Sequence, residues 1–208
     1  MGVGAYSTVE YGSGIEVKTG NTFINQSTIR YNSGTGIKST NGARHQISNN
    51  IISNNQGGDA GISISGTGYI TGNTISDNVG EDGGGIEVSG SLIISGNTIE
   101  NNKAGRYESY GGFNLDGGGG GIRSRSSTVQ ILNNIIKGNQ AQSGGGIAGG
   151  GTITGNTIMG NYANSGGGFS DYDNGSGTFT DNFVLNNSGG GISLTQNGGI
   201  DVVTGNVI

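Results

Sequence analysis

The sequence predicts an all-β protein: a single-stranded right-handed parallel β-helix, or solenoid, of about eight coils, forming one domain over residues 1–208. Three observations predict it. A nine-residue motif, aliphatic-x-x-Asn-x-aliphatic-x-x-Asn, returns along the chain at a nearly constant interval. Short apolar–polar alternations fill each interval, and no segment carries a sustained 3.6-residue period. Glycine supplies 48 of the 208 residues, while proline and cysteine are both absent.

The motif begins at Ile24, Ile47, Ile70, Ile94, Ile131, Ile153, Phe179 and Val203, with successive spacings of 23, 23, 24, 37, 22, 26 and 24. Self-similarity at such a period is the mark of a solenoid with one repeat per turn. The sixth position is Ile29, Ile52, Ile75, Ile99, Ile136, Ile158, Val184 and Ile208. Between motifs, a glycine-rich stretch ends in Ile15, Ile37, Ile62, Ile86, Ile122, Ile147, Phe169 or Ile192. These alternations read as half-buried strands, and Gly and Asn punctuate them as turns require. Strands this short cannot bury a face alone. Stacked coils can, because the inward aliphatics of one coil sit on those of the next. A narrow column of isoleucine then explains a hydrophobic content of only 30%. At ~4.8 Å per coil, eight coils extend roughly 38 Å. The right hand follows from the crossover rule for parallel strands.

The fourth motif position is Ser27 and then Asn50, Asn73, Asn97, Asn134, Asn156, Asn182 and Asn206; the ninth is Asn32, Asn55, Asn78, Asn102, Asn139, Asn161 and Asn187. An Asn at a corner tolerates left-handed backbone angles. Pointed inward, its amide donates to the same amide one coil away and accepts from the other side. A buried amide without partners would cost ~1–3 kcal/mol. The fourth-position residues from Asn50 to Asn206 are therefore expected to form a structural ladder.

Composition narrows the function. The net charge is −5 and no Lys/Arg run occurs, which argues against a nucleic-acid partner. No apolar stretch approaches the ~20 residues of a membrane span. No basic-then-apolar leader opens the chain, so a mature or excised piece is expected. Collagen is excluded by the irregular glycine spacing and the missing proline. Abundant Asn, Gly, Ser and Thr point to an extracellular or cell-surface protein.

The segment "GIEVSGSLIISGNTIENN" (85–102) resembles the parallel β-helix repeat of pectate-lyase-like proteins and of carbohydrate-binding and sugar-hydrolysing surface domains. The "GGGI" blocks at 144–147 and 189–192 are similar to repeats of polymorphic outer-membrane adhesin passengers. The resemblance covers about residues 13 to 208. It implies architecture rather than activity, since one fold carries many functions. A polygalacturonase-like pattern would show Asn-Thr-Asp, Asp-Asp, Gly-His-Gly and Arg-Ile-Lys, and none occurs here.

Candidate binding residues fall in two places. Alternation after the Gly-Ile step sets up an outward column of Glu16, Lys38, Ser63, Glu87, Arg123, Ala148, Ser170 and Ser193, with Arg125 two residues beyond Arg123. Glu87 and Arg123 are expected on adjacent coils, as an exposed ion pair or a sugar-binding spot. The 37-residue interval marks an insertion at about 103–119, where Arg106, Tyr107, Glu108, Tyr110 and Asp116 gather in the one aromatic-rich loop. Loops on rigid scaffolds often carry function, and tyrosines suit sugar stacking or protein contact. A loop merely folded over apolar surface is the competing reading. "SDYDNGSG" (170–177) departs from the EF-hand pattern; a turn is expected there, with Asp171 and Asp173 as the alternative cation ligands. His45, the single histidine, reads as a surface-loop residue and cannot build a histidine metal cluster. No catalytic residue, metal or cofactor is assigned.

Two Thr-rich columns invite an ice-binding reading. Ser48, Thr71, Ser95, Thr154, Thr180 and Thr204 follow the first aliphatic, with Leu132 as an exception. Thr28, Thr74, Thr98 and Thr157 follow the fourth position, mixed with Ile51, Ile135, Phe183 and Val207. Thr also has an ordinary preference for strands. No capping helix is visible, so either flanking domains or end-to-end self-association is expected at the coil ends. The sequence thus reads as a non-catalytic surface solenoid: a spacer, adhesin-like or filament-forming module, with a polysaccharide or cell-surface glycan as partner. The alternatives are a polysaccharide lyase or glycoside hydrolase, and an ice-binding protein.

Overall fold

The computed structural model describes residues 12–39, 44–108, 111–171, 176–195 and 200–208. Among these no residue is helical, and the chain winds as a parallel solenoid of about seven turns. One sheet holds fourteen strands and a second holds seven, with every pairing between turns parallel. Motif positions stack in register: Ile47 on Ile70, Ile70 on Ile94, Ile94 on Ile131, Ile131 on Ile153 and Ile153 on Phe179. The 37-residue interval does not disturb this. Ile99 still meets Ile136 across it, so the extra residues are extruded from the coil rather than absorbed into it.

The core is the expected column. Ile47, Ile70, Ile94, Ile131 and Ile153 are fully buried along one wall, and Ile52, Ile75, Ile99, Ile136 and Ile158 along the next. Near the far end, Phe169 and Phe179 replace aliphatics and stack at 4.6 Å between centroids and 27° between planes. A stacked ring pair there fills the width that two isoleucines fill elsewhere.

The asparagine ladder is present and is doubled. In the first, Asn73 donates from its backbone N (2.9 Å) and from Nδ2 (3.0 Å) to Oδ1 of Asn97. Its Nδ2 also donates to the Ile47 carbonyl at 2.9 Å. Asn50, Asn97, Asn134, Asn156 and Asn182 repeat this pattern, ending on Asn206. The ninth-position residues form a second ladder from Asn32 to Asn187 with the same geometry. Both run in one direction: each amide oxygen takes two N–H groups from the preceding turn. Only a one-turn offset satisfies all of them.

One detail of the expected corner is corrected. The left-handed residue is not the ladder Asn but its predecessor: Asn49, Gly72, Gly96, Asn133, Gly155, Asp181 and Gly205 all have φ between 55° and 70°. The reason is geometric. A left-handed residue reverses the chain just before the amide, and the ladder Asn then enters with ordinary backbone angles and its side chain inward.

The Gly-Gly-Gly-Ile blocks are explained by close approach. The first glycine of each, at Gly83, Gly119, Gly144 and Gly166, has φ between 59° and 69°. The chain there curls back over the strand it is about to enter. The third glycine is packed under the second ladder: a methyl on Gly85 would stand 3.0 Å from Asn102 Nδ2. Curling back also covers the outward column, so Arg123, Ala148 and Ser170 are buried rather than exposed.

Asn97→Ala removes the acceptor of two buried N–H groups and the donor to Asn134 and Ile70. It is expected to cost about 3 kcal/mol or more of stability. Asn206→Ala, at the half-exposed end of the same ladder, is expected to cost under about 1 kcal/mol because water replaces the lost partner. Urea unfolding of the two variants checks the contrast; equal losses would show that the ladder does not hold the fold.

Candidate functional site

The insertion folds as a small antiparallel hairpin, with Arg106–Tyr107 paired to Phe113–Asn114. Tyr107 packs edge-on against Phe113, 4.9 Å between centroids at 71°. Arg106 Nη2 meets Asp116 Oδ2 at 2.7 Å, closing the base of the hairpin. Asn114 Nδ2 lies 3.4 Å from Glu108 Oε1 on the outer side. These contacts hold Tyr107 in place while leaving 55% of it exposed. Tyr110 lies outside the described residues.

The hairpin walls a groove of about 610 Å³, lined by Tyr31, Asn32, Ser33, Asn54, Gln56, Val79, Glu81, Arg106 and Tyr107 among others. Its lining comes from four successive turns. Tyr31 belongs to the first, Asn54 and Gln56 to the second, Val79 and Glu81 to the third, and the hairpin to the fourth. Three steps of ~4.8 Å make it extend roughly 14 Å along the solenoid axis, and its lining also shifts along the coil, since Gln56 is in register with Val79 and Glu81 lies two residues further on.

Tyr31 marks this groove in a second way. It occupies the left-handed corner before the second ladder, at φ 58°. The same corner is Asn54, Asp77, Asn101, Gly138, Gly160 and Asn186 in later turns, all residues that accept such angles. A bulky aromatic there costs roughly 1–2 kcal/mol. Tyr31 is 71% exposed, so burial does not offset that cost. Arg30 lies 5.5 Å from its ring centroid and steadies it.

The other predicted residues form a separate ionic cluster. Glu87 and Arg123 are strand neighbours, as the alternation predicted. Glu87 Oε1, however, takes Arg125 Nε at 2.6 Å, and Arg123 Nη1 binds Asp82 Oδ1. Arg125 Nη2 reaches Asp82 Oδ2 at 3.1 Å. Arg123 is only 7% exposed, so the expected solvent-exposed pair is instead a part-buried network centred on Asp82. Burial pushes the Glu87 carboxyl above its ordinary value, and the hydrogen bond from Arg125 opposes this. Glu81 and Asp82 join the two groups of residues, lining a small cleft of about 150 Å³ with Arg106 and Asp116.

Three residues of the site escaped the sequence. Tyr31, Glu81 and Asp82 each stand in a turn where the repeat tolerates almost any polar residue. Only Tyr31 carried a signal, a large ring where glycine or asparagine recurs.

Two further expectations change. His45 is fully buried, not in a surface loop; its Nε2 is 3.0 Å from the Ser65 carbonyl. It points inward because it follows Arg44 in strict alternation, and Gly68 on the next turn lets the two backbones approach, since a Cβ there would meet the His45 backbone carbonyl. Asp171 is also buried, its carboxylate accepting the Thr195 N–H at 2.7 and 2.9 Å, so it is committed internally rather than to a cation. Asp173 lies outside the described residues.

A carboxyl that protonates more readily in the folded chain contributes stability in full below its unfolded value. That contribution is lost as pH rises through the higher folded value. Relative to Glu87→Gln, the wild-type protein is therefore expected to gain stability as pH falls from 7 towards 4. Paired thermal melts at each pH measure the difference, and a gain in the opposite direction would contradict the burial of Glu87.

Neither the curated proteins nor the solved structures gave a match. The family described as "Right handed beta helix region" matches residues 6–148. That span holds the first turns, the greater part of both ladders, the groove and the hairpin, and it exceeds half of the chain; the protein belongs to the right-handed β-helix family.

Proposed function

We propose that this solenoid is a non-catalytic carbohydrate-binding module that acts outside the cell or at its surface. The observation that carries the proposal is the groove between Tyr31 and Tyr107. Sugar rings bind by laying their C–H faces on aromatic rings while amides take their hydroxyls. The groove offers one tyrosine at each end and Asn32, Asn54 and Gln56 between them. It crosses four successive turns, which suits a linear chain better than a compact ligand. The strain at Tyr31 supports the same reading, because an exposed aromatic in a costly conformation is useful only for what it touches.

Catalysis is less well served. Asp82 and Glu87 are both engaged by arginines, and Asp116 by Arg106. Ice binding is served less well again. In register, the column Thr28, Ile51, Thr74, Thr98, Ile135, Thr157 and Phe183 breaks its hydroxyl row with bulky apolar side chains.

Tyr31→Asn is expected to raise stability by about 1 kcal/mol, by removing the left-handed strain, and at the same time to weaken oligosaccharide binding at least tenfold. Tyr107→Ala is expected to weaken binding similarly with an unchanged circular dichroism spectrum. Calorimetric titration with linear oligosaccharides, alongside melts, checks both. A Tyr31→Asn protein that binds as well as wild type would end the proposal. Incubation with polysaccharides is expected to release no new reducing ends or unsaturated products, and robust turnover would favour the lyase or hydrolase reading.

A further inference from the structure

The groove has a definite charge pattern, and this pattern selects among sugars. The cations near it are already engaged, Lys103 among them with its Nζ 5.8 Å from the Phe113 ring centroid. Arg106 is bound to Asp116 at 2.7 Å, and Arg30 lies against the Tyr31 ring at 5.5 Å. Glu81 differs: its side chain is exposed, it lines the groove, and among the described residues it has no ion-pair partner. Its backbone is fixed by the N–H bond to the Gly58 carbonyl at 3.0 Å, so the carboxylate is presented from a defined place. It also lines the adjoining cleft, where Asp82 is bound by Arg123 and Arg125 and Asp116 by Arg106, so Glu81 is the cleft carboxylate with no ion-pair partner among the described residues.

Position along the axis gives the pattern its meaning. Tyr31 is on the first turn, Gln56 on the second, Glu81 on the third and Tyr107 on the hairpin after the fourth. Each is also displaced along the coil from the one before, since Gln56 is in register with Val79 rather than with Glu81, so the row crosses the turns obliquely. A linear oligosaccharide laid along the groove would therefore cross all four turns. Its end rings would stack on the two tyrosines, and an inner ring would face Glu81. A carboxylate without an ion-pair partner attracts an ammonium group through a charge-assisted hydrogen bond. It repels a uronate or sulfate.

Building on the carbohydrate-binding reading, we infer that the groove selects linear chains of amino sugars, with the free amine of an inner residue paired to Glu81. Neutral chains bind through the tyrosines alone. Acidic chains are disfavoured.

The test uses the whole protein and three hexasaccharides of equal length, long enough to reach both tyrosines: β-linked glucosamine, its N-acetylated form, and galacturonate. Wild type is expected to bind the glucosamine hexamer about two- to fivefold more tightly than the N-acetylated one, the range of an exposed ion pair. Galacturonate should bind more weakly than either. Raising the salt should shrink the preference, since the pair is exposed. Glu81→Gln should bind the amine and N-acetyl forms equally while keeping its affinity for the N-acetyl form. A preference that survives Glu81→Gln, or galacturonate binding as tightly as glucosamine, overturns the inference and leaves the groove as a general sugar site. Failure of all three hexamers to bind wild type overturns both readings together.

Discussion

The structure rests on an amide that has no water to turn to. Between the ends of each ladder the asparagines lie inside the coil, where oxygen and nitrogen must be satisfied by protein. The single arrangement that does so places another asparagine one turn away at the same depth. This requirement fixes register more tightly than the isoleucine column alone. A slip of one residue would turn the aliphatics outward and also leave every amide unpaired. Two ladders five residues apart pin both ends of the short strand between them. A three-residue strand such as Thr74–Ser76 could not hold its place otherwise.

That rigidity lets the site depart from the repeat. The hairpin leaves the coil after the fourth turn and returns to it with the ladders unbroken, Asn97 bonding Asn134 at 3.0 Å and Asn102 bonding Asn139 at 3.0 Å. Because the scaffold closes beneath it, the insertion adds a wall without loosening the floor. Tyr31 depends on the same support. Its left-handed corner precedes Asn32, which is tied to Asn55 through both its backbone N and its Nδ2. The ladder holds the corner in a conformation that a tyrosine would not choose, and the cost is spread over the neighbouring turns.

The sequence carried the fold because the fold is periodic. Interval, alternation and amide position each repeated seven or eight times, so single exceptions such as Ser27 or Leu132 could not hide the pattern. What it hid was aperiodic or lay beyond alternation. Alternation placed Arg123 outward, correctly, but could not show that the glycine turn folds back over that column. It placed His45 in a surface loop, whereas the residue stands at an inward position of an alternating strand. The ladder asparagines drew attention to themselves, while the residue before each of them carried the unusual backbone angle. The groove was illegible for a simpler reason. Tyr31, Gln56, Glu81 and Tyr107 are each about one repeat apart in sequence, and nothing in any one repeat distinguishes them as partners.

This last point bears on how such a scaffold acquires function. A solenoid presents every turn at the same spacing, so any surface built from equivalent positions is suited to a ligand that repeats at that spacing. Specificity has to come from breaking the equivalence. Here three departures from the repeat do so: a tyrosine at a glycine-like corner, a carboxylate with no ion-pair partner among the described residues, and a hairpin where other turns have a short bend. None of them disturbs an inward residue. The interior therefore keeps one rule along the described turns, while the exterior of the first four turns is free to differ, and it is these departures that the proposed carbohydrate reading rests on.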